Sequence, residues 1–497
     1  MRRTRRQFLA LLAATGLQAA GMLGRRGWAK DATVAVNDIH SQLNETRMAR
    51  VLRPRSESAL QAALSAARTD SKSVSIAGGR HAMGGQQFLD NGVLIDTREM
   101  NRIVNLDEEN GVVEVEAGIQ WPELISQLQA MQADKSRPWG IIQKQTGADR
   151  LSIGGALGAN AHGRGLTYKP IIGDVAAFTL MDGEGRLITC SRHENTELFQ
   201  LAIGGYGLFG VMTKVKLRLM RRTKLERVVK IINMERLMPE FEDRIRAGFL
   251  YGDCQFSTDI KSDNFLRSGV FSCYRPLPPD AEMPALQSAL REDDWRKLYF
   301  HSHADRARAY ELYTSYYLST SGQRYWSDTH QLSVYIDDYH VELDRLLKAK
   351  SKGTEMITEL YVPRAALSSF LAEVAEDFRE HGVQLIYGTI RLIAKDHESF
   401  LAWAKEPWAC IVMNLHIDHT SEGISKAADD FRRLIDRAIA HGGNYFLTYH
   451  RWAELRQVER CYPQMPDFLK LKRCYDPDEV FVSDWYRHYK DMFADQL

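Results

Sequence analysis

Ser75-Ile76-Ala77-Gly78-Gly79-Arg80-His81-Ala82-Met83-Gly84-Gly85-Gln86 is the stretch on which the reading of this chain turns. The β-rich run Val74–Ala77 reads as a strand, and the glycines behind it let the backbone turn tightly with its N–H groups near an anion such as a pyrophosphate. The stretch is neither a G-x-G-x-x-G helix opening nor a G-K-[ST] phosphate loop. A second glycine cluster runs from Thr146-Gly147-Ala148 through Ser152-Ile153-Gly154-Gly155-Ala156-Leu157-Gly158-Ala159-Asn160-Ala161-His162-Gly163-Arg164-Gly165. Glycine that dense does not suit an element serving only a core. Two backbone-exposing loops in one region point to a large, extended, phosphate-containing ligand.

Working outward, residues 53–219 alternate short β-rich runs with helical patterns. Helices are expected at 56–67, with Ser56 as N-cap, and at Trp121–Met131, with Pro122 in the first turn. Strands are expected at Val93–Asp96 and 112–117, and a hairpin at 178–181 and 187–190 around Asp182-Gly183-Glu184-Gly185. From Glu226 a second region begins with a strand at 228–233 and a helix at 234–247. Residues 276–284 read as a proline-rich loop and the aromatic segment 295–339 as mostly helical. Helices at 368–381 and 424–441 flank strands at 384–393 and 409–417. A short helix is expected within 34–48. The fold class is therefore α+β.

The 497 residues carry 65 Lys+Arg against 64 Asp+Glu, and a net +1 argues against a nucleic-acid partner, which needs a surplus of cations. Hydrophobic content of 44% and charged content of 26% exclude wholesale disorder and a polytopic membrane protein. Arg2, Arg3, Arg5 and Arg6 precede an uncharged stretch, and Thr4-Arg5-Arg6-Gln7-Phe8-Leu9 resembles a twin-arginine export motif, read for proteins that cross the membrane folded. The expectation is a signal peptide at 1–29, no stable membrane anchor, and a periplasmic or extracellular destination reached after a cofactor is inserted. Residues 1–29 hold six arginines and no acid, so the remainder is net acidic. Six cysteines form no C-x-x-C pair, so no metal site is expected; buried free thiols and a Cys461–Cys474 disulfide both stay open.

Over about residues 51–219 the chain resembles the vanillyl-alcohol oxidase family of FAD flavoproteins, also called the p-cresol methylhydroxylase fold. The likeness rests on GGRHAMGG at 78–85, Val115-Glu116-Ala117-Gly118, SIGGALGANAHGRG at 152–165, and Gly204-Gly205-Tyr206-Gly207-Leu208-Phe209-Gly210-Val211-Met212-Thr213. The resemblance implies an FAD-binding domain at 50–222, an α+β substrate-binding cap domain at 223–450, and a C-terminal segment, 451–497, that returns to the FAD domain. It implies FAD contacts from Gly78, Gly79, Arg80, His81, Ala82, Gln86, Gly118, Thr146, Gly147, Ser152, Gly154, Gly155, Asn160, His162, Gly163, Gly210 and Val211. It also implies a covalent bond from His81 to a methyl carbon of the flavin. With Ala148-Asp149-Arg150 where some relatives carry a cysteine, attachment is expected to be single.

Tyr387-Gly388-Thr389-Ile390-Arg391-Leu392 resembles the E-I-R strand of alditol and aldonolactone oxidases, with Arg391 kept and Thr389 in place of the glutamate. Candidate catalytic residues are Arg391, which can fix and polarise an oxygen, His450 and His416, which titrate in a useful range, and Glu359. The expected activity is oxidation of a CH–OH group on a small molecule (a polyol, sugar lactone or hydroxy acid) with oxygen or another acceptor taking the electrons. A catalytically inactive flavin- or carbohydrate-binding protein and a C=C reductase are the alternatives.

Overall fold

The glycine loop of 78–85 lies between a parallel sheet and a second sheet system in the computed structural model, which describes residues 33–331, 333, 334 and 336–497. Val74–Ala77 and Arg50–Leu52 both pair in parallel with Val93–Asp96, and the Glu57–Thr69 helix packs Leu60, Leu64 and Ala67 against this sheet. Ser56 caps that helix by accepting from the Ala59 N–H. Residues 480–482 run beside the sheet, with the Val74 N–H donating to the Val480 carbonyl at 2.6 Å. A six-stranded antiparallel sheet follows, centred on Val211–Arg221, which pairs with Val175–Met181, Val112–Glu116 and Trp139–Ile141. The Trp121–Met131 helix and the Val175–Met181/Leu187–Ser191 hairpin form as expected.

The sheet that matters for function has eight strands, in the order Arg324–Trp326, Lys224–Asn233, Ser268–Pro276, Tyr251–Phe256, Leu385–Ile393, Trp408–Asp418, Gly353–Pro363 and Asn444–Tyr445. Side chains alternate between its faces. Met356 and Leu360 face the apolar side of the helices Leu367–His381 and Ser421–Ala440, which bury Phe370, Val374 and Phe378, and Phe431, Leu434 and Ile435. Glu355, Ile357 and Glu359 face the other way, into a cavity.

Two expectations need correction, and the open question of the cysteines is answered. Residues 34–48 do not form a helix: Val34–Val36 and Thr46–Met48 pair as antiparallel strands. The Asp38 carboxylate accepts from the N–H groups of His40, Ser41 and Gln42, diverting donors a helix would need into a turn. The helical run from 295 ends at Ser319, and Gly322, at φ 90°, turns the chain into the strand Arg324–Trp326. The Cys461–Cys474 pair is not formed, Cys461 being buried and Cys474 exposed, and all six thiols are free. The expected signal peptide lies outside the described residues. Among those, no helix is long and apolar enough to cross a membrane.

Candidate active site

Two loops meet edge to edge to make one wall of a cavity of about 370 Å³. A Cβ on Gly78 would stand 1.9 Å from Ser152 Oγ, and one on Gly79 2.4 Å from the Arg150 carbonyl oxygen. The glycines are what let the loops approach. Arg80 turns in the left-handed region at φ 60°. Among the described residues, the N–H groups of Gly79, Arg80 and Ala82 meet no acceptor, although the loop lines the cavity. Successive unpaired N–H groups in such a turn make an anion-binding concavity. Gly78, Gly79, Arg80, His81, Ala82, Gln86, Gly147, Ser152, Gly154, Gly155, His162 and Gly210 all line the cavity, as do Glu359 and Arg391.

The remaining expected cofactor residues stand behind this wall. Asn160 is buried, donating to Asp396 Oδ2 at 2.9 Å and accepting from the Ile172 N–H. The Thr146 carbonyl accepts from the Ser333 N–H, the Gly163 N–H donates to Gln143 Oε1, and Val211 begins its strand in the core. Gly118 is a close-packing glycine: an added Cβ would lie 1.8 Å from the Thr97 carbonyl oxygen and 2.7 Å from that of Met100. Gly118→Ala should therefore lower stability by about 1–3 kcal/mol. A thermal-unfolding midpoint equal to that of the parent protein would refute that role.

His81 meets the half-buried His40, its Nδ1 lying 2.9 Å from His40 Nε2. Burial first, and the neighbouring His40 second, hold His81 well below the ordinary imidazole range. Its ring is accordingly neutral near pH 7, the form with a nucleophilic nitrogen lone pair.

The sheet supplies the opposite wall. Its register sets Gln255, Thr389, Val412 and Glu359 in one cross-strand row, with Arg391 and Cys410 in the next. Glu359 is 3% exposed and carries the central polar network. Its Oε1 lies 2.7 Å from His162 Nε2 and accepts from the Tyr361 hydroxyl, while Oε2 accepts from Tyr449 at 3.3 Å. His162 Nδ1 faces the Gly163 carbonyl at 2.9 Å, so that nitrogen carries a hydrogen and the Nε2–Oε1 contact needs one more proton. Burial favours the protonated acid at Glu359. The charge and hydrogen bond of His162, the Tyr361 hydroxyl and the Arg391 guanidinium outweigh it, and the carboxyl is held below its ordinary range. The contact is a buried one-proton bridge in which the Glu359 carboxyl is held toward its carboxylate form.

Arg391 is 7% exposed, and among the described residues no side chain or carbonyl accepts a hydrogen bond from it. A buried guanidinium in that state lacks a partner that a ligand oxygen can supply. Buried polar atoms of Gln255, Thr389 and Tyr387 on the same wall are also unpaired.

Two expected catalytic histidines are elsewhere. His450 stacks on Trp452 with ring centroids 4.1 Å apart, and burial takes it down to about 4. His416 shares the cavity-side face of its strand, but its ring packs edge-on to His303 at 5.5 Å, beyond the end of the cavity. Sequence reasoning placed His162 only against the cofactor and missed Gln255, Tyr387 and Tyr449. For Gln255 a signal existed, since Asp253 and Gln255 interrupt an otherwise apolar, wholly buried strand. His162, Glu359 and Cys410 offer ligand atoms within 4.8 Å of one another, and the 2.7 Å contact of His162 Nε2 with Glu359 Oε1 joins two of them directly.

Residues 48–191 match the family model of the FAD binding domain. The chain is 32% identical to L-gulonolactone oxidase of Mus musculus over 166 residues, 33% of this chain and 36% of that protein. It is 30% identical to cytokinin dehydrogenase 3 of Oryza sativa subsp. japonica over 173 residues, 33% of this chain and 31% of the relative. A longer match, 20% identical over 420 residues, covers 80% of this chain and 84% of decaprenylphosphoryl-beta-D-ribose oxidase of Mycolicibacterium smegmatis. The matched segments span 36%, 42% and 54% of the length of the first three curated relatives.

Proposed function

We propose that this chain, whose residues 48–191 form an FAD-binding domain of the vanillyl-alcohol oxidase and p-cresol methylhydroxylase family, oxidises a CH–OH group of a small molecule. The observation that carries the reading is the unpaired, buried Arg391 beside the His162–Glu359 bridge, facing the glycine loops across the cavity. The unpaired N–H groups of Gly79, Arg80 and Ala82 suit the FAD pyrophosphate, and the close approach of Gly78 to Ser152 leaves the loop surface open to it.

FAD, when bound, would supply the hydride acceptor for the carbinol carbon. The chain's own residues handle the oxygen and its proton. Arg391 donates to the substrate oxygen and favours the negative charge that grows there as the proton leaves. Glu359 Oε1 is committed to His162 and Tyr361, so Oε2, with its one long contact to Tyr449, is the atom that takes the hydroxyl proton. A carboxylate held low is a weak base, yet it suffices. The hydroxyl becomes strongly acidic once the hydride has begun to leave the carbon. The 2.7 Å contact of His162 Nε2 steadies the carboxylate between turnovers, and burial of the network keeps bulk water from it.

Anaerobic mixing with a panel of alcohols, sugar lactones and hydroxy acids tests the reading. Bleaching of the flavin absorbance by at least one of them is expected. A panel that leaves it unchanged would return the chain to a flavin-carrying or carbohydrate-binding role.

A further inference from the structure

Three side chains that are far apart in the sequence meet beside the cavity. His162 comes from the second glycine cluster, Glu359 from the strand Gly353–Pro363, and Cys410 from its neighbour Trp408–Asp418. All three are buried. Glu359 pairs across with Val412 and Tyr361 with Cys410, so the thiol lies on the carboxylate's face of the sheet, one row further along. His162 Nε2 lies 2.7 Å from Glu359 Oε1 and 3.8 Å from Cys410 Sγ. Imidazole nitrogen, carboxylate oxygen and thiolate sulfur are donors that zinc accepts, three of them leaving a fourth position for water. Around a tetrahedral zinc with bonds of ~2.0–2.3 Å such donors stand roughly 3.3–3.6 Å apart, so the sulfur is already near its place and the nitrogen–oxygen pair opens by about 0.6 Å.

The supports that metal-binding side chains need are present as well. His162 directs Nδ1 at the Gly163 carbonyl, 2.9 Å away, which fixes the ring and turns Nε2 to the other two donors. Glu359 accepts from the hydroxyls of Tyr361 and Tyr449. Donors shed their protons on binding a metal. A divalent cation displaces the one proton shared by His162 and Glu359 and the thiol proton of Cys410, two charges for two. Arg391, the cross-strand neighbour of Cys410, therefore meets the same local charge before and after and does not bar the exchange. His162 and Glu359 line the cavity, and the cation reaches them from there.

We infer that His162, Glu359 and Cys410 form a binding site for a thiophilic divalent cation such as zinc, and that the cation, by taking the Glu359 carboxylate, switches flavin reduction off. The switch rests on the oxidoreductase reading above; the site does not.

The test uses the FAD-loaded protein carrying Cys474→Ser, which removes the exposed thiol. Titration with Co²⁺ as the probe should show one equivalent bound per chain and a thiolate-to-cobalt charge-transfer band in the difference spectrum, and Zn²⁺ should displace it. Adding Cys410→Ser should abolish the band and weaken Zn²⁺ by ~100-fold or more, since even a lost supporting partner costs about 10–100-fold. Tyr361→Phe keeps all three donors and should keep the band while binding Zn²⁺ ~10–100-fold more weakly. Absence of uptake, or uptake without the band, overturns the site on the Cys474→Ser protein alone, and so does Zn²⁺ bound as tightly after Cys410→Ser as before it. Zn²⁺ should also stop anaerobic bleaching by any alcohol that bleaches the flavin. Zn²⁺ bound with bleaching at full rate upholds the site, overturns the switch and removes Glu359 from the proton path. Where no alcohol bleaches the flavin, the oxidoreductase reading falls and the cobalt band still decides the site.

Discussion

His81→Ala should convert a flavin that stays with the denatured polypeptide into one that leaves it entirely. The neutral imidazole of His81 lines the cavity beside the glycine loop, and His40 fixes its orientation through the 2.9 Å contact to Nδ1. A charged imidazolium has no free lone pair, so burial, which keeps the ring neutral, leaves it the lone pair that the bond to the flavin methyl carbon implied by the family resemblance would need. Precipitating the parent protein with acid should leave all flavin absorbance in the pellet, and precipitating the variant should leave it in the supernatant. Before denaturation the variant should still be yellow, because the loop N–H groups that suit the pyrophosphate are untouched. Loss of the covalent link should also lower its thermal midpoint and make that midpoint depend on added FAD, since the cofactor then stabilises only by mass action. Free flavin released from the parent protein would sink the covalent assignment.

The loops were legible in the sequence because their constraint is local and steric. Where a Cβ on Gly78 would collide with Ser152, no other residue serves, and the run of glycines says so without any knowledge of the fold. Strands and helices such as Val93–Asp96 and Trp121–Met131 were legible for a similar reason, their patterns being carried within the element. The strands at 34–36 and 46–48 were not. There one carboxylate, Asp38, decides the turn by gathering three backbone N–H groups, a contest of hydrogen bonds that composition does not reveal.

The candidate site shows the same division. Arg391 and Glu359, one chosen through the likeness of its strand and the other as an ionisable residue in an apolar run, both line the cavity. What could not be read was register. Gln255 stands beside Thr389 only because strands far apart in the chain pair at that position, and a one-residue slip would have turned both away. His416 was a reasonable choice by chemistry and shares the correct face, but its position beyond Asn414 places it against His303 instead of a ligand. His450 failed for a different reason: it lies in a loop, and its ring is spent on Trp452.

Glu359 is where stability and chemistry can be pulled apart. Glu359→Ala leaves His162 Nε2 and the Tyr361 hydroxyl buried without their partner, and breaking one side of a buried pair costs about 3–5 kcal/mol. Glu359→Gln keeps the volume and lets an amide group meet His162, so it should fold and load FAD nearly as the parent does. It has no carboxylate to take the hydroxyl proton, and the rate of flavin reduction should fall by about 10²–10⁴. The pH dependence of stability carries its own sign. Because the folded carboxyl is held below its ordinary value, the pair's contribution is fully present above the usual glutamate range near pH ~4.3 and disappears as pH falls through the lower, folded value. The stability difference between parent and Glu359→Gln should therefore shrink on the acid side. A Gln variant reducing its flavin at the parental rate would remove Glu359 from the proton path. One that fails to fold as badly as Glu359→Ala would make the residue a structural anchor and leave Arg391 to act with another base.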